Sequence, residues 1–427
     1  MATSRSAMGR LLSAIHLRPR RPRPAKRRAD GGGTLIDPKA KADASAAAVA
    51  AAVNDFSFRF AGRLHADAPD SNLVTSPVSA WLPLAALANA ASACVVDDLL
   101  EALGVAGATR EQVDTAAARM LHGLTADATA LSIADAAFVD HRRTLAMPFV
   151  RTFRDRYFGE AFEVDFSAPD AAGAVNAWAA ESTDGRITDL VERIDADVVA
   201  AIANAVFFTD PWKSQFDTHL TEAGTFHAPS GDVEVPLMTR HVSDVPYHET
   251  EHLQMVSLPF ENGAELHVIL HRSGGTLDLL AHFDGERFRQ LLADRTPRRG
   301  RVVLPRFTLT PDTADLKAPL TDLGVPLFVD KDDVLPGLLD DDEPTWLSEA
   351  TQRAMLEIDE NGATAAAVTV MMVARGGPPP EPPEDTPFEM VCDRPFVAIL
   401  THPTVDCAHQ ILFVAVVNEP AGPRPRQ

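Results

Sequence analysis

Gly362-Ala363-Thr364-Ala365-Ala366-Ala367-Val368-Thr369-Val370-Met371-Met372-Val373-Ala374 runs without a charge or a proline, and Arg375-Gly376-Gly377-Pro378-Pro379-Pro380-Glu381-Pro382-Pro383-Glu384-Asp385 follows at once. The first half alternates so that either face of an extended strand carries small or apolar side chains, and every backbone donor is available to a sheet. The proline-rich half could occupy no such place. A linker is usually polar or rich in Gly and Ser, whereas this run is Ala, Val, Met and Thr. A segment that is long and loop-like in context, yet composed as a buried strand, points to latent insertion into a sheet; the competing reading is a plain linker.

Working outward, the 427 residues are 46% hydrophobic and 23% charged, enough to bury a sizeable core. A net charge of −21 argues against general nucleic-acid binding, which needs Lys and Arg in excess to neutralise phosphates. Three cysteines, Cys94, Cys392 and Cys407, show no CxxC spacing, so a disulfide framework and a zinc cage are not expected and all three read as buried thiols. No stretch reaches the roughly 18 apolar residues of a membrane span. Residues 1 to 28 carry nine basic side chains and no acidic one, leaving about −30 for the rest. Residues 1–44 therefore read as a basic, disordered tail, with Leu11–Ile15 too short and too interrupted for a secretory core.

Helical patterns cover Ser45–Leu64, Pro77 to about Ala91, Asp97–Leu103, Arg110–Leu121 and Ala171–Ser182. Ser76 suits an N-cap and Pro77 the first helical position. Apolar runs at Ala200–Phe208, Met255–Phe260, Leu266–Leu270, Val302–Leu309 and Ile411–Val417 read as strands. Helices and strands alternate without a βαβ rhythm, so the fold class is α+β.

His248-Glu249-Thr250-Glu251-His252 fits the HExxH pattern of zinc proteases, which works only on a helix, where both His share a face. Here Pro246 precedes it and an apolar strand pattern follows, so a turn entering a strand is the reading preferred. Nucleophile-elbow, phosphate-loop and dinucleotide signatures are missing from the sequence.

From about Ser45 to Pro420 the chain resembles the serpins, and is similar to a prokaryotic-type member. The matching motifs are Ser76-Pro77-Val78-Ser79, Asn176-x-Trp178 with Thr183-x-Gly185-x-Ile187, Asn204 through Phe208 with Trp212, Val235-Pro236-Leu237-Met238, Leu304-Pro305-Arg306-Phe307, Asp359-Glu360-Asn361-Gly362 and Asp393-Arg394-Pro395-Phe396. Singly each is weak; in this order they are specific. The resemblance implies an α+β domain over 45–420 with a reactive-centre loop at about 360–392 and a C-terminal tail from 421 to 427. It implies a suicide inhibitor of serine, or cysteine, endopeptidases, not an enzyme, in which the cleaved loop inserts into the main sheet and traps the acyl-enzyme. The alternative is a non-inhibitory member cleaved as a substrate, serving as carrier or chaperone.

By the same resemblance the hinge is Glu360, Gly362, Ala363, Thr364, Ala365, Ala366 and Ala367, and the residues governing sheet opening are Ser76, Ser79, Asn204, Trp212 and Gln352. Loop length places the bait residue at Gly376, but Arg375 one before it offers a side chain for a trypsin-like pocket, so Arg375-Gly376 is favoured as the scissile bond, ahead of Met372. Departures are Gln352 where the family commonly has His, Ala415 where it has Gly, and the long proline-rich far side of the loop. The expected partner is a trypsin-like or subtilisin-like serine protease acting on a monomer, with no cofactor, metal, nucleic acid or membrane. Location is open: extracellular by resemblance, cytoplasmic by the lack of a convincing signal.

Overall fold

Asp43 caps the first described helix by accepting hydrogen bonds from the amides of Ser45 and Ala46 at 2.9 and 3.0 Å, which satisfies two of the orphan donors of a helix N-terminus. In the computed structural model, residues 43–420 are described except 127–129, 184, 196–197, 274, 282, 311–312, 330–332 and 364–385. The helix begun at Asp43, α1 (Ala44–Ala66), leads to β1 (Leu73–Thr75), α2 (Pro77–Leu87), α3 (Val96–Ala102) and α4 (Arg110–Leu124). Next come β2 (Leu131–Asp140), α5 (Met147–Tyr157), β3 (Glu160–Val164), α6 (Ala171–Ser182), β4 (Ala200–Phe208) and β5 (Asp210–Pro211). The second half contains β6 (Glu222–Ala228), β7 (Gly231–Glu249), β8 (Leu253–Pro259), β9 (Glu265–His271), α7 (Thr276–Ala281), α8 (Gly285–Ala293) and β10 (Thr296–Pro305). It closes with β11 (Phe307–Leu309), β12 (Ala314–Asp315), α9 (Lys317–Asp322), β13 (Thr351–Gln352), β14 (Leu356–Ile358), β15 (Gly362–Ala363), β16 (Phe388–Val391), β17 (Phe396–His402) and β18 (Gln410–Val417).

α1 buries Val49, Val53, Phe56 and Phe60, a stripe at helical spacing, and the Phe56 and Phe60 rings stack at 5.5 Å. α2 is apolar on all sides, and Val78, Ala80, Trp81, Leu82 and Leu84 are all buried, as a helix enclosed by the core must be. It ends at Leu87 rather than Ala91: Gly337 donates its amide to Ala90 O at 2.9 Å and approaches so closely that another turn of helix has no room there.

Among the described residues a nine-stranded sheet runs β1-β18-β17-β9-β8-β7-β10-β16, with β6 pairing off β7. The remaining strands form the ladders β3-β2-β4, β11-β14-β15-β5 and β12-β13. β4 passes into β5 through Thr209 alone, and β13 into β14 through three residues, so these ladders are parts of one larger surface. Ladders between its halves run through β15, where Ala363 pairs with Ile358 on one side and with Asp210 on the other. α6 packs over β2, β3 and β4 through Val175, Ala179 and Trp178, whose ring meets Phe138 edge-on at 5.8 Å.

Two expectations are corrected. Val302–Leu309 is not one strand, because Arg306 breaks it: β10 lies in the nine-stranded sheet and β11 in another, and the Arg306 amide turns to Pro236 O at 2.9 Å. Cys94 is exposed, its Sγ 3.0 Å from Ser92 Oγ, since it falls in the surface connection before α3; Cys392 is buried and Cys407 half-buried. His248 and Glu249 end β7 and His252 lies in the following turn, so the HExxH pattern has no shared helical face. Glu249 instead takes Arg272 at 2.7 Å and the Tyr247 hydroxyl at 2.9 Å.

Candidate functional site

Asp359–Ala363, where the alternating run begins, is held by backbone bonds on three sides. Trp212 donates its amide to Asn361 O at 2.8 Å and its indole Nε1 to Asp359 O at 2.9 Å, while the Phe216 amide goes to Glu360 O at 2.9 Å. Asp359 closes the turn by accepting from the amides of Asn361 and Gly362. Trp212 is itself fixed by stacking on Phe260 at 4.2 Å, and burial of a ring pair of this size stabilises by roughly 3–6 kcal/mol.

Glu360 is buried and charged. Burial alone would raise its carboxyl, but Arg306, which reaches both carboxylate oxygens, and the Thr221 hydroxyl at 2.7 Å outweigh that and hold it below the usual carboxylate range. Two residues on, Gly362 has φ +155° and lies so close to β5 that a Cβ would collide with Asp210 O and stand 2.7 Å from Pro211 Cα. Ala363 is buried, and its carbonyl accepts from Thr209 Oγ1 at 3.1 Å. Small residues are thus dictated here by the narrow space between β5 and β14.

A second cluster gathers at the N-terminus of α2. Gln352, on β13, uses both ends of its amide: Oε1 accepts from Thr75 Oγ1 at 2.6 Å and the Ser76 amide at 3.1 Å, and Nε2 donates to Ser76 O at 2.8 Å. On the β4 side, Ser79 Oγ donates to Asn204 Oδ1, and Asn204 Nδ2 donates to Asp135 at 2.8 Å. Burial pushes the Asp135 carboxyl up to about 7 despite the Asn204 bond. One helix start therefore ties down both flanks of the sheet. Ser76 occupies the N-cap position, but its hydroxyl makes no cap bond and is buried without a partner; its backbone is engaged by Gln352 instead.

Of the residues singled out above, Ser76, Ser79, Asn204 and Gln352 come together at α2, and Trp212, Glu360, Gly362 and Ala363 at the top of β5. Thr364, Ala365, Ala366, Ala367, Met372, Arg375 and Gly376 lie outside the described residues. Asp135, Thr75, Thr209 and Thr221 belong to the two clusters and were not anticipated. A single carboxylate in the apolar run Ile133–Val139 is the signal that finds Asp135.

The chemistry available to these clusters is mechanical. Ser257 Oγ and His267 Nδ1 do stand 2.8 Å apart, but both side chains are fully buried and closed to a substrate. Near them Glu265, His267 and His409 have ligand-like spacing, yet Arg295 binds Glu265 at 3.0 Å and so already supplies the cation.

A model of the family described as serpin (serine protease inhibitor) matches residues 51–420. The chain belongs to the serpin family. The plasma serine protease inhibitor of Bos taurus is 28% identical over 375 residues, 86% of this serpin and 90% of the relative. Alpha-1-antitrypsin of Meriones unguiculatus is 31% identical over 239 residues, 55% of this chain and 58% of that protein. Both are mammalian. Among solved structures, thyroxine-binding globulin in complex with thyroxine superposes with a TM-score of 0.77 at 22% identity, covering 87% of this chain and 99% of that one. Serpin48 of Tenebrio molitor gives 0.76 at 24% identity, covering 87% and 98%. At these identities the superpositions establish the α+β serpin fold, and the named protease inhibitors establish the broad class.

Proposed function

We propose that this serpin is a suicide inhibitor of a trypsin-like or subtilisin-like serine protease, cut at Arg375-Gly376, whose cleaved loop inserts between β5 and β14. The observation that carries the reading is the position of Gly362 and Ala363. They already pair with both flanking strands, so a strand extending from Ala363 continues an existing ladder rather than nucleating a new one. The following eleven residues, to Ala374, contain no charge or proline to stop it. Acylation by the protease frees the far end of the loop. Small side chains then let the near end advance before water releases the acyl group. The inhibitor acts as a monomer, and its prokaryotic-type affinity rests on the sequence motifs alone.

Mixing near-equal amounts of this protein and trypsin tests it. The expected products are a covalent complex that survives SDS, an intact mass placing the cut after Arg375, and a raised melting temperature for the cleaved inhibitor. The fold match to a thyroxine carrier favours one alternative, a carrier cleaved as a plain substrate. Fragments alone, with unchanged thermal stability, would select it.

A further inference from the structure

Two Asn-Gly pairs occur in the chain, Asn262-Gly263 and Asn361-Gly362, and the fold treats them differently. With no Cβ on the second residue nothing crowds its nitrogen, so an intramolecular attack on the side-chain amide of the first is open. At Asn361-Gly362 the connecting peptide group is activated at both ends. The Trp212 amide donates to Asn361 O at 2.8 Å, and the Gly362 amide donates to Asp359 Oδ1 at 3.1 Å. A donor on the carbonyl withdraws electrons from the nitrogen and acidifies its N–H; a carboxylate on that N–H is placed to receive the proton. The Asn361 side chain is half-buried and makes no hydrogen bond among the described residues, so its amide can turn toward the Gly362 nitrogen.

Asn262-Gly263, in the turn between β8 and β9, has neither advantage. Asn262 Oδ1 accepts from the Ala264 amide at 2.9 Å, which fixes the side chain, and the Gly263 amide faces Phe260 O at 3.3 Å, a carbonyl too weakly basic to take a proton.

We propose that Asn361-Gly362 is a self-modifying site that deamidates through a succinimide, with Asp359 as its general base, and that the isoaspartate formed there disables the hinge. The Gly362 nitrogen gives its proton to Asp359 and bonds to Cγ of Asn361; the Cγ–Nδ2 bond breaks, and Nδ2 takes that proton from Asp359 and leaves as ammonia. Water then opens the ring. Addition at Cγ leaves an ordinary aspartate at position 361; addition at the backbone carbonyl leaves isoaspartate, whose main chain runs through Cβ and Cγ and is one carbon longer. The carbonyl held by Trp212 then leaves the main chain as a free carboxylate beside Asp359 and Glu360, and the pairing of Ala363 with Ile358 and Asp210 loses its register. The reaction is independent of the inhibitory reading; its consequence for protease trapping rests on it.

The test follows both pairs in one sample. Full-length protein is aged in mildly alkaline solution, beside a sample aged in denaturant; both are digested, and the two peptides are compared by mass and by isoaspartate methyltransferase labelling. In the folded protein Asn361 should convert on the order of tenfold faster than Asn262, mostly to isoaspartate, and the two rates should converge in denaturant. Asp359→Asn should slow Asn361 by a similar factor and leave Asn262 unchanged. Equal rates at the two pairs in the folded protein, a preference for Asn361 that persists in denaturant, or an Asp359→Asn rate equal to wild type overturns the site; the wild-type comparison decides it even should that variant fold poorly. For the consequence, aged protein should lose covalent trypsin complex in proportion to its isoaspartate, while aged Asn361→Gln keeps the level of the fresh variant. Full trapping by isoaspartate-bearing protein overturns the effect on the hinge. If fresh protein traps no trypsin, the inhibitory reading fails and the chemistry at Asn361 is still decided by mass; a melting temperature lowered by isoaspartate then supports the lost register, and an unchanged one refutes it.

Discussion

At the scale of single residues, two positions are constrained by quantities that chemistry can move. Gly362 combines φ +155° with contact against β5, so Gly362→Ala must either strain the backbone or push β5 away, at a cost of roughly 1–3 kcal/mol. Its melting temperature should fall by about 1–5 °C, whereas Ala363→Gly, in a place with no such demand on φ, should lose less; equal losses would show that the space at Gly362 is not limiting. Asp135 makes a prediction about pH. Its carboxyl titrates near 7 in the fold against 3.8 for an ordinary Asp, so the folded protein holds the extra proton between those values. The associated stability is whole below about pH 4 and is lost as the pH rises to about 7, with an upper bound on the order of 4 kcal/mol. Asp135→Asn, which can still accept from Asn204, should melt higher than wild type at pH 8 and much like it at pH 4; parallel pH profiles would refute the assignment.

At the scale of elements, what could be read in advance depended on pattern length. α1, α6, β4, β9 and β18 carry an uninterrupted apolar or small-residue period and are found close to where the sequence places them. β10 and β11 merge into one apolar run, because a single arginine carries no periodicity signal even though it moves the chain between sheets. Nothing local marks Gln352 either. Its value lies in joining β13 to the first residues of α2, more than 270 positions away, and only the fold brings them together. Gln352→Ala would leave the Thr75 hydroxyl and the Ser76 amide buried without partners, a penalty of about 1–3 kcal/mol for each group. Native melting should drop by several degrees, and Gln352→His, with a ring able to donate or accept, should recover part of it; a silent Gln352→Ala would mean that β13 is held elsewhere. The two clusters were legible as residue types and not as partners: Asn204 announces itself in a motif, but its carboxylate neighbour Asp135 lies on a strand 69 residues earlier.

At the scale of the whole molecule, the segment that decided the reading meets the body at β15 on one side and at β16 on the other, in two different sheets. Whatever happens along it must register at both feet. The near foot is gripped by Trp212, Glu360 and Arg306; the far foot, β16, pairs in parallel with β10. At the near foot burial works to raise the Glu360 carboxyl, but Arg306 and the Thr221 hydroxyl outweigh it and hold it below the usual carboxylate range.

The indole of Trp212 donates to the carbonyl of Asp359, the residue just ahead of the hinge, and its face rests on Phe260. That gives the molecule an intrinsic optical gauge. The chain has four tryptophans, so with Trp81, Trp178 and Trp346 replaced by Phe the remaining emission comes from one ring sealed from water beside the hinge. If the strand at Gly362 lengthens after cleavage, the carbonyl that the indole faces must shift and the emission maximum should move within the same interval as the gain in heat stability. Emission that stays constant while stability rises would place the moving part elsewhere in the sheet.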